Sequence, residues 1–94
     1  MLDGKAKSKL RGMAQTRKAI VMIGKEGVSD TLCATLSDSL KAHELVKISC
    51  LKTSPISVRE AAIQCASATH SEIVQIIGHT FVLYRKSEKN LCQL

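Results

Sequence analysis

The chain has 94 residues, 45% of them hydrophobic, and a formal net charge of +6 from 14 Lys and Arg against 8 Asp and Glu. That length fits a single domain with a modest core, and the hydrophobic share excludes a disordered chain. The charge excess favours a polyanion such as nucleic acid, or an anionic membrane surface; the scarcity of aromatics, just Phe81 and Tyr84, argues against single-strand binding by rows of stacking rings.

The first predicted element is a basic helix over Lys5–Gln15. Ala6, Leu10, Met13 and Ala14 recur at helical spacing, with Lys5, Lys7, Lys9 and Arg11 around them. Gly12 weakens such a helix by roughly 1 kcal/mol relative to Ala, and its presence predicts close packing against a neighbour. Ala19–Ile23, rich in branched residues, reads as a short buried strand. Gly24-Lys25-Glu26-Gly27 then breaks the pattern. Ser29 is the expected N-cap of a second helix, which carries Leu32, Leu36 and Leu40 and ends near Ala42 or His43.

Leu45–Leu51 reads as the second strand, with Val46, Ile48 and Cys50 on a buried face and Lys47 and Ser49 on a partly polar one. A loop over Thr53–Ile56 holds the single proline, Pro55. Ser57 and Glu60 have the spacing of a capping box, opening a third helix that runs to about Ala68. Its small residues, Ala61, Ala62 and Cys65, predict close packing on a sheet. Ile73–Ile77 and Thr80–Arg85 are two more strands, joined through Gly78-His79 in a type II′ turn. The remainder is a polar tail.

The predicted order is helix-strand-helix-strand-helix-strand-strand, an α/β single compact domain with a four-stranded mixed sheet. Right-handed crossovers make the first connected strands parallel, and the last two form an antiparallel hairpin. The strand order is left open. Residues 1–86 are expected to form the domain and 87–94 the tail.

The Gly24–Gly27 loop leads from a strand toward a helix start, where free backbone N–H groups and the helix dipole can receive a phosphate. G-x-x-G alone is equally well explained as a plain strand-to-helix turn. Lys5, Lys7, Lys9, Arg11, Arg17 and Lys18 are candidate phosphate contacts; the bland alternative is a solvated charged face. The weak apolar face of the first helix, without Trp or Phe, argues against a membrane-surface role.

Catalysis has little support. His43, His70 and His79 have no metal-ligand spacing, and no carboxylate pair stands out. Cys33, Cys50, Cys65 and Cys92 lack C-x-x-C spacing and read as small hydrophobes in a reduced, cytoplasmic protein without disulfides. Lysines interrupt the N-terminus, so no signal peptide is expected, and no apolar run has membrane-spanning length. No cofactor, metal or small-molecule substrate is expected.

Four ordered blocks resemble the YhbY family, bacterial stand-alone versions of the CRM domain. They are Leu10-Arg11-Gly12-Met13-Ala14, Ile23-Gly24-Lys25-Glu26-Gly27-Val28, His43-Glu44-Leu45-Val46-Lys47-Ile48 and the run Val74–Arg85. Gln15 and Ala19 stand where the family often has His and Pro. The resemblance implies a fold similar to the C-terminal domain of translation initiation factor three, and a glycine loop comparable to the backbone-clamping loop of KH domains. It also implies association with precursor large-subunit ribosomal RNA and the pre-ribosomal particle, and assistance in large-subunit maturation. The RNA-binding residues it suggests, together with the charge reading, are Lys5, Lys7, Lys9, Arg11, Arg17, Lys18, Gly24, Lys25, Glu26, Gly27 and Arg85. Because Glu26 cancels Lys25, the loop is expected to position RNA backbone while cations elsewhere supply the attraction. The competing expectation is a protein-interaction module that docks on a ribosomal protein or assembly factor through the face around Lys47, Ser49 and Gln75.

Overall fold

The computed structural model describes residues 4–87 of the chain. Residues 88–94 of the expected tail, with Cys92, lie outside the described residues. The described elements follow the predicted order: α1 (Gly4–Ala14), β1 (Val21–Ile23), α2 (Asp30–His43), β2 (Leu45–Cys50), α3 (Val58–Thr69), β3 (Glu72–Ile77) and β4 (Thr80–Tyr84).

Local chemistry sets the helix boundaries. Ser29 Oγ accepts from the Leu32 N–H at 3.1 Å and Ser57 Oγ from the Glu60 N–H at 3.2 Å, each relieving one orphan donor of a first turn. At the other end of α2, Glu44 takes φ 63° and its N–H bonds the Leu40 carbonyl. His70 ends α3 in the left-handed region, and the Ser71 N–H reaches back to the Ala66 carbonyl at 3.0 Å, as in a Schellman closure. Between β3 and β4, φ is positive at Gly78 and not at His79, the sign pattern that a type II′ turn requires.

The sheet order is β1-β2-β4-β3. β1 and β2 are parallel, with Val21 opposite Ile48, and the other two pairings are antiparallel. A register shift between Ile73 and Gln75 bulges β3: Leu83 and Val82 oppose Ile73 and Gln75, and Ile73 and Ile76 both pack into the cluster under α2 and α3 while Val74 joins the other.

Two apolar clusters hold the layers together. Val46, Ile48, Phe81 and Leu83 pack against Leu36 and Leu40 of α2 and Ala61, Ala62 and Cys65 of α3. On the other face, Leu45, Val74, Val82 and Tyr84 pack against Leu10 and Ala14 of α1. The small residues of α3 therefore sit closely on the sheet, as expected. Gly12 departs from expectation: it is exposed, and a Cβ there would meet nothing within 4 Å. α1 turns its Leu10–Ala14 side inward, and Gly12 points away from that contact.

Ser87, assigned by sequence to the tail, is tied to the domain. Its N–H and hydroxyl both donate to the buried Glu44 carboxylate, the N–H at 3.2 Å. Among the described residues, no helix is long and apolar enough to cross a membrane. Cys33, Cys50 and Cys65 are free thiols, the latter two buried in the larger cluster.

Candidate nucleic-acid interface

Strand direction sorts the candidate residues onto two ends of the sheet. β1 and β2 run in parallel and β4 runs against them, with Ser49 opposite Thr80. The connections after β1 and β2 and the β3–β4 hairpin therefore emerge at one end. The segment before β1, the start of β2 and the end of β4 lie at the other, roughly 17 Å away along β2.

At the first end, the glycine loop is a β-turn closed by the Gly27 N–H donating to the Gly24 carbonyl at 3.0 Å. Lys25 and Glu26 are exposed at its tip. Gly27 is buried at φ +66°, and a Cβ there would lie 3.2 Å from Pro55 Cγ. Gly27 thus serves the turn and its packing against the next loop. Gly24 has ordinary clearance, with Thr53 and Leu51 at 3.7 and 3.8 Å from a Cβ position.

The start of α2 corrects the simple picture of a phosphate cradle. Val28 and Ser29 separate the loop from the helix, Ser29 takes the Leu32 N–H, and Asp30 adds negative charge in the first turn. These features occupy or oppose the sites where an anion would seat on a helix N-terminus. Lys25 and Glu26, with half-buried Gly24 beside them, form the accessible surface of this loop.

Nothing in the local sequence marks the neighbours of this loop as part of its surface. Lys52 and Thr53 are exposed on the adjoining loop, and His79 on the hairpin at the same end. Their proximity comes from sheet pairing, which no local motif encodes.

At the second end, Arg17 and Lys18 line a groove of about 260 Å³ together with His43 and Lys47. Among the described residues, no carboxylate lines it. Arg17 Nη1 donates to the Leu45 carbonyl at 2.9 Å, and Lys47 Nζ to the Arg17 carbonyl at 3.5 Å. These bonds hold two of the cations in place. In the sequence Lys47 is a strand-face lysine and His43 a helix-to-strand junction residue, so the groove is a tertiary product.

α1 carries Lys5, Lys9 and Arg11 exposed and Lys7 half-buried, outside its packed Leu10–Ala14 side. Arg85 is different. Its guanidinium donates to the Thr69 carbonyl at 2.8 Å, the Ser37 carbonyl at 2.9 Å and Ser37 Oγ at 3.2 Å. It joins the end of β4 to α2 and α3, at the end of the sheet opposite the glycine loop. Both of its terminal nitrogens are engaged in the fold.

The buried thiols lack the chemistry of nucleophiles. Burial, reinforced by nearby Cys33 and Cys50, pushes Cys65 up to about 12. Burial also raises Cys50, partly offset by a hydrogen bond with Ser54. Among the described residues, no group of three or more His, Cys, Asp or Glu could hold a metal ion.

The model of the CRS1/YhbY (CRM) domain matches residues 2–85. The chain belongs to that family. A relative named "Probable RNA-binding protein YqeI", from Bacillus subtilis, is 37% identical over 90 residues, covering 96% of this chain and 94% of the relative. A Haemophilus influenzae protein named "RNA-binding protein" is 32% identical over 93 residues, covering 99% and 94%. The solution structure of protein SAV1595 from Staphylococcus aureus matches with a TM-score of 0.81 at 38% identity, covering 96% of this chain and 94% of that one. The three-helix, four-stranded arrangement described above is thus shared with a protein whose structure was solved independently.

Proposed function

We propose that this protein binds RNA, and that its RNA is precursor large-subunit ribosomal RNA within a pre-ribosomal particle, whose maturation it assists in the cytoplasm. The observation that carries the RNA reading is membership of the CRM family over residues 2–85, with relatives named for RNA binding. The cationic groove of Arg17, Lys18, His43 and Lys47 and the exposed glycine-loop end supply the physical means.

In this reading residues 1–86 are the RNA-binding unit. Gly24, Lys25 and Glu26 touch the backbone, while Gly27 shapes the turn beneath them. Lys5, Lys7, Lys9 and Arg11 on α1, with Arg17 and Lys18, provide most of the attraction. Arg85 has a structural part. No chemical step is required of the protein, in keeping with relatives named as binders.

Binding to structured ribosomal RNA across several salt concentrations tests the first claim. Micromolar or tighter binding is expected at low salt, falling steeply as salt rises, because each neutralised phosphate releases counterions. No binding at low salt would sink it. Crosslinking in cells, followed by sequencing, tests the target: bound fragments should concentrate in large-subunit precursors, and an even spread over cellular RNA would reject the ribosomal part.

One observation favours a second reading, a module that docks on a ribosomal protein or assembly factor. Met22 and Ile77, 59% and 62% exposed, lie in one cross-strand row with Ser49 and Thr80, beside Lys47 and Gln75. A protein partner recovered equally well after nuclease treatment would support it.

A further inference from the structure

A cleft of about 490 Å³ opens at the glycine-loop end of the sheet, between the loop after β2 and the β3–β4 hairpin. Leu51, Ile56 and Val58 give it aliphatic walls, and Lys52, Ser54 and His79 give it a polar rim. Among the described residues, no carboxylate lines it.

The cleft and the glycine loop share a wall. The Leu51 N–H bonds the Ile23 carbonyl at 2.8 Å, extending the β1–β2 pairing to the edge of the loop. Leu51 Cδ1 lies 3.8 Å from a Cβ position on Gly24, and the same side chain lines the cleft. Pro55 of the same segment packs against Gly27. A strand whose backbone crosses Gly24–Glu26 therefore meets the cleft on the far side of residues 51–55.

Both walls are held before any ligand arrives. Ser54 Oγ donates to the Ile56 carbonyl at 3.0 Å and accepts from the Ile56 N–H at 3.4 Å. The Cys50 N–H donates to the His79 carbonyl at 2.7 Å, pinning the hairpin to the end of β2. A preformed site loses little freedom on binding.

We propose that this cleft receives one unpaired nucleobase of the RNA strand that lies on the glycine loop. The proposal rests on the RNA-binding reading and adds to it a site for the base. The two residues with large aromatic rings, Phe81 and Tyr84, are both buried and offer no face for stacking. An aliphatic slot can cover the π-face of a base instead, while donors at the rim meet its polar edge. The cationic Lys52 suits the adjoining phosphate. The volume falls within the range of pockets for small organic groups. Because paired bases are not available to a slot of this kind, the ligand class is a loop, bulge or single strand rather than a continuous duplex.

The test compares a single-stranded oligoribonucleotide with a strand of the same length and phosphate number made wholly of abasic sites, by fluorescence anisotropy at low salt. The wild-type protein should bind the base-bearing strand about tenfold more tightly. Ser54→Trp, which fills the cleft, should narrow that gap to within about twofold. His79→Ala, at an exposed turn position, reads the same rim and should reduce the gap even if Ser54→Trp does not fold, as judged by circular dichroism. Equal binding of both strands by the wild type would overturn the cleft and leave the RNA reading standing. A preference undiminished in the folded variants would also overturn it. Binding of neither strand would overturn the cleft, and binding to structured ribosomal RNA, measured beside it, would tell whether the RNA reading falls with it.

Discussion

Arg85 and Thr69 are joined by a 2.8 Å hydrogen bond from the guanidinium to the last carbonyl of α3. Two further bonds to Ser37 make Arg85 the tie between the end of β4 and both helices on one face of the sheet. Arg85→Ala should therefore destabilise the protein by about 2–3 kcal/mol, measured by urea unfolding. Arg85→Lys should recover less than half of this, because an ammonium cannot present the planar fork. RNA affinity of the folded Arg85→Ala protein should stay near the wild-type value. A large loss of affinity with unchanged stability would return Arg85 to the interface.

The two glycines of the loop should respond differently. Gly27→Ala places a Cβ at φ +66° and 3.2 Å from Pro55, so a loss of about 1–2 kcal/mol is expected in thermal or urea unfolding. Gly24→Ala meets only ordinary contacts and should stay within about 0.5 kcal/mol of wild type. A test of the loop in RNA binding is therefore cleaner with Gly24→Asp and Lys25→Glu than with any change at Gly27. Folded Gly24→Asp/Lys25→Glu protein should bind RNA more weakly, and unchanged affinity would remove the loop from the interface.

Two exposed positions leave stability unused. Gly12 lies inside α1 with open space around its Cα, and Gly12→Ala should stabilise by roughly 1 kcal/mol. His70 ends α3 at φ 55° and ψ 43°, and His70→Gly should stabilise by about 1 kcal/mol through relief of the left-handed conformation. Midpoints of chemical denaturation, with unchanged slopes, would verify both.

Alkaline pH should weaken the fold through Cys65. Its folded-state value, about 12, lies above the ordinary value of 9.0, so the folded protein retains a proton that the unfolded chain releases. The resulting stabilisation is complete below pH 9 and is lost as pH rises toward 12. Cys65→Ala should be less stable at neutral pH, owing to the small cavity, and should lose less stability between pH 9 and pH 10.5. Unfolding curves at a series of pH values compare the two slopes directly; parallel slopes would reject the assignment. In the same range Cys65 should resist alkylation until the protein unfolds.

Much of the fold was legible in local sequence because its signals are local. Ser29 and Ser57 cap the helices they precede, and Gly78 carries the positive φ of the hairpin turn. The alternation of Val46, Ile48 and Cys50 with Lys47 and Ser49 told which side of β2 is buried under α2 and α3. Gly12 misled, because a helix tolerates an exposed glycine for no reason visible in its neighbours.

Caps, turns and periodicity act over a few residues, so the elements, their order, and the basic and glycine-bearing segments are written in the local sequence. The strand order β1-β2-β4-β3, and with it where those segments stand, comes from long-range pairing alone. The antiparallel insertion of β4 beside β2 carries Arg85 to the end opposite the glycine loop and draws its charge into the fold. It also brings Gly78 and His79 beside Leu51–Ile56 to form a cleft. Arg17 and Lys47, distant in the chain, meet because β1 pairs with β2. Such placements depend on long-range pairing and packing, whose energies belong to pairs of segments and are written in neither segment alone.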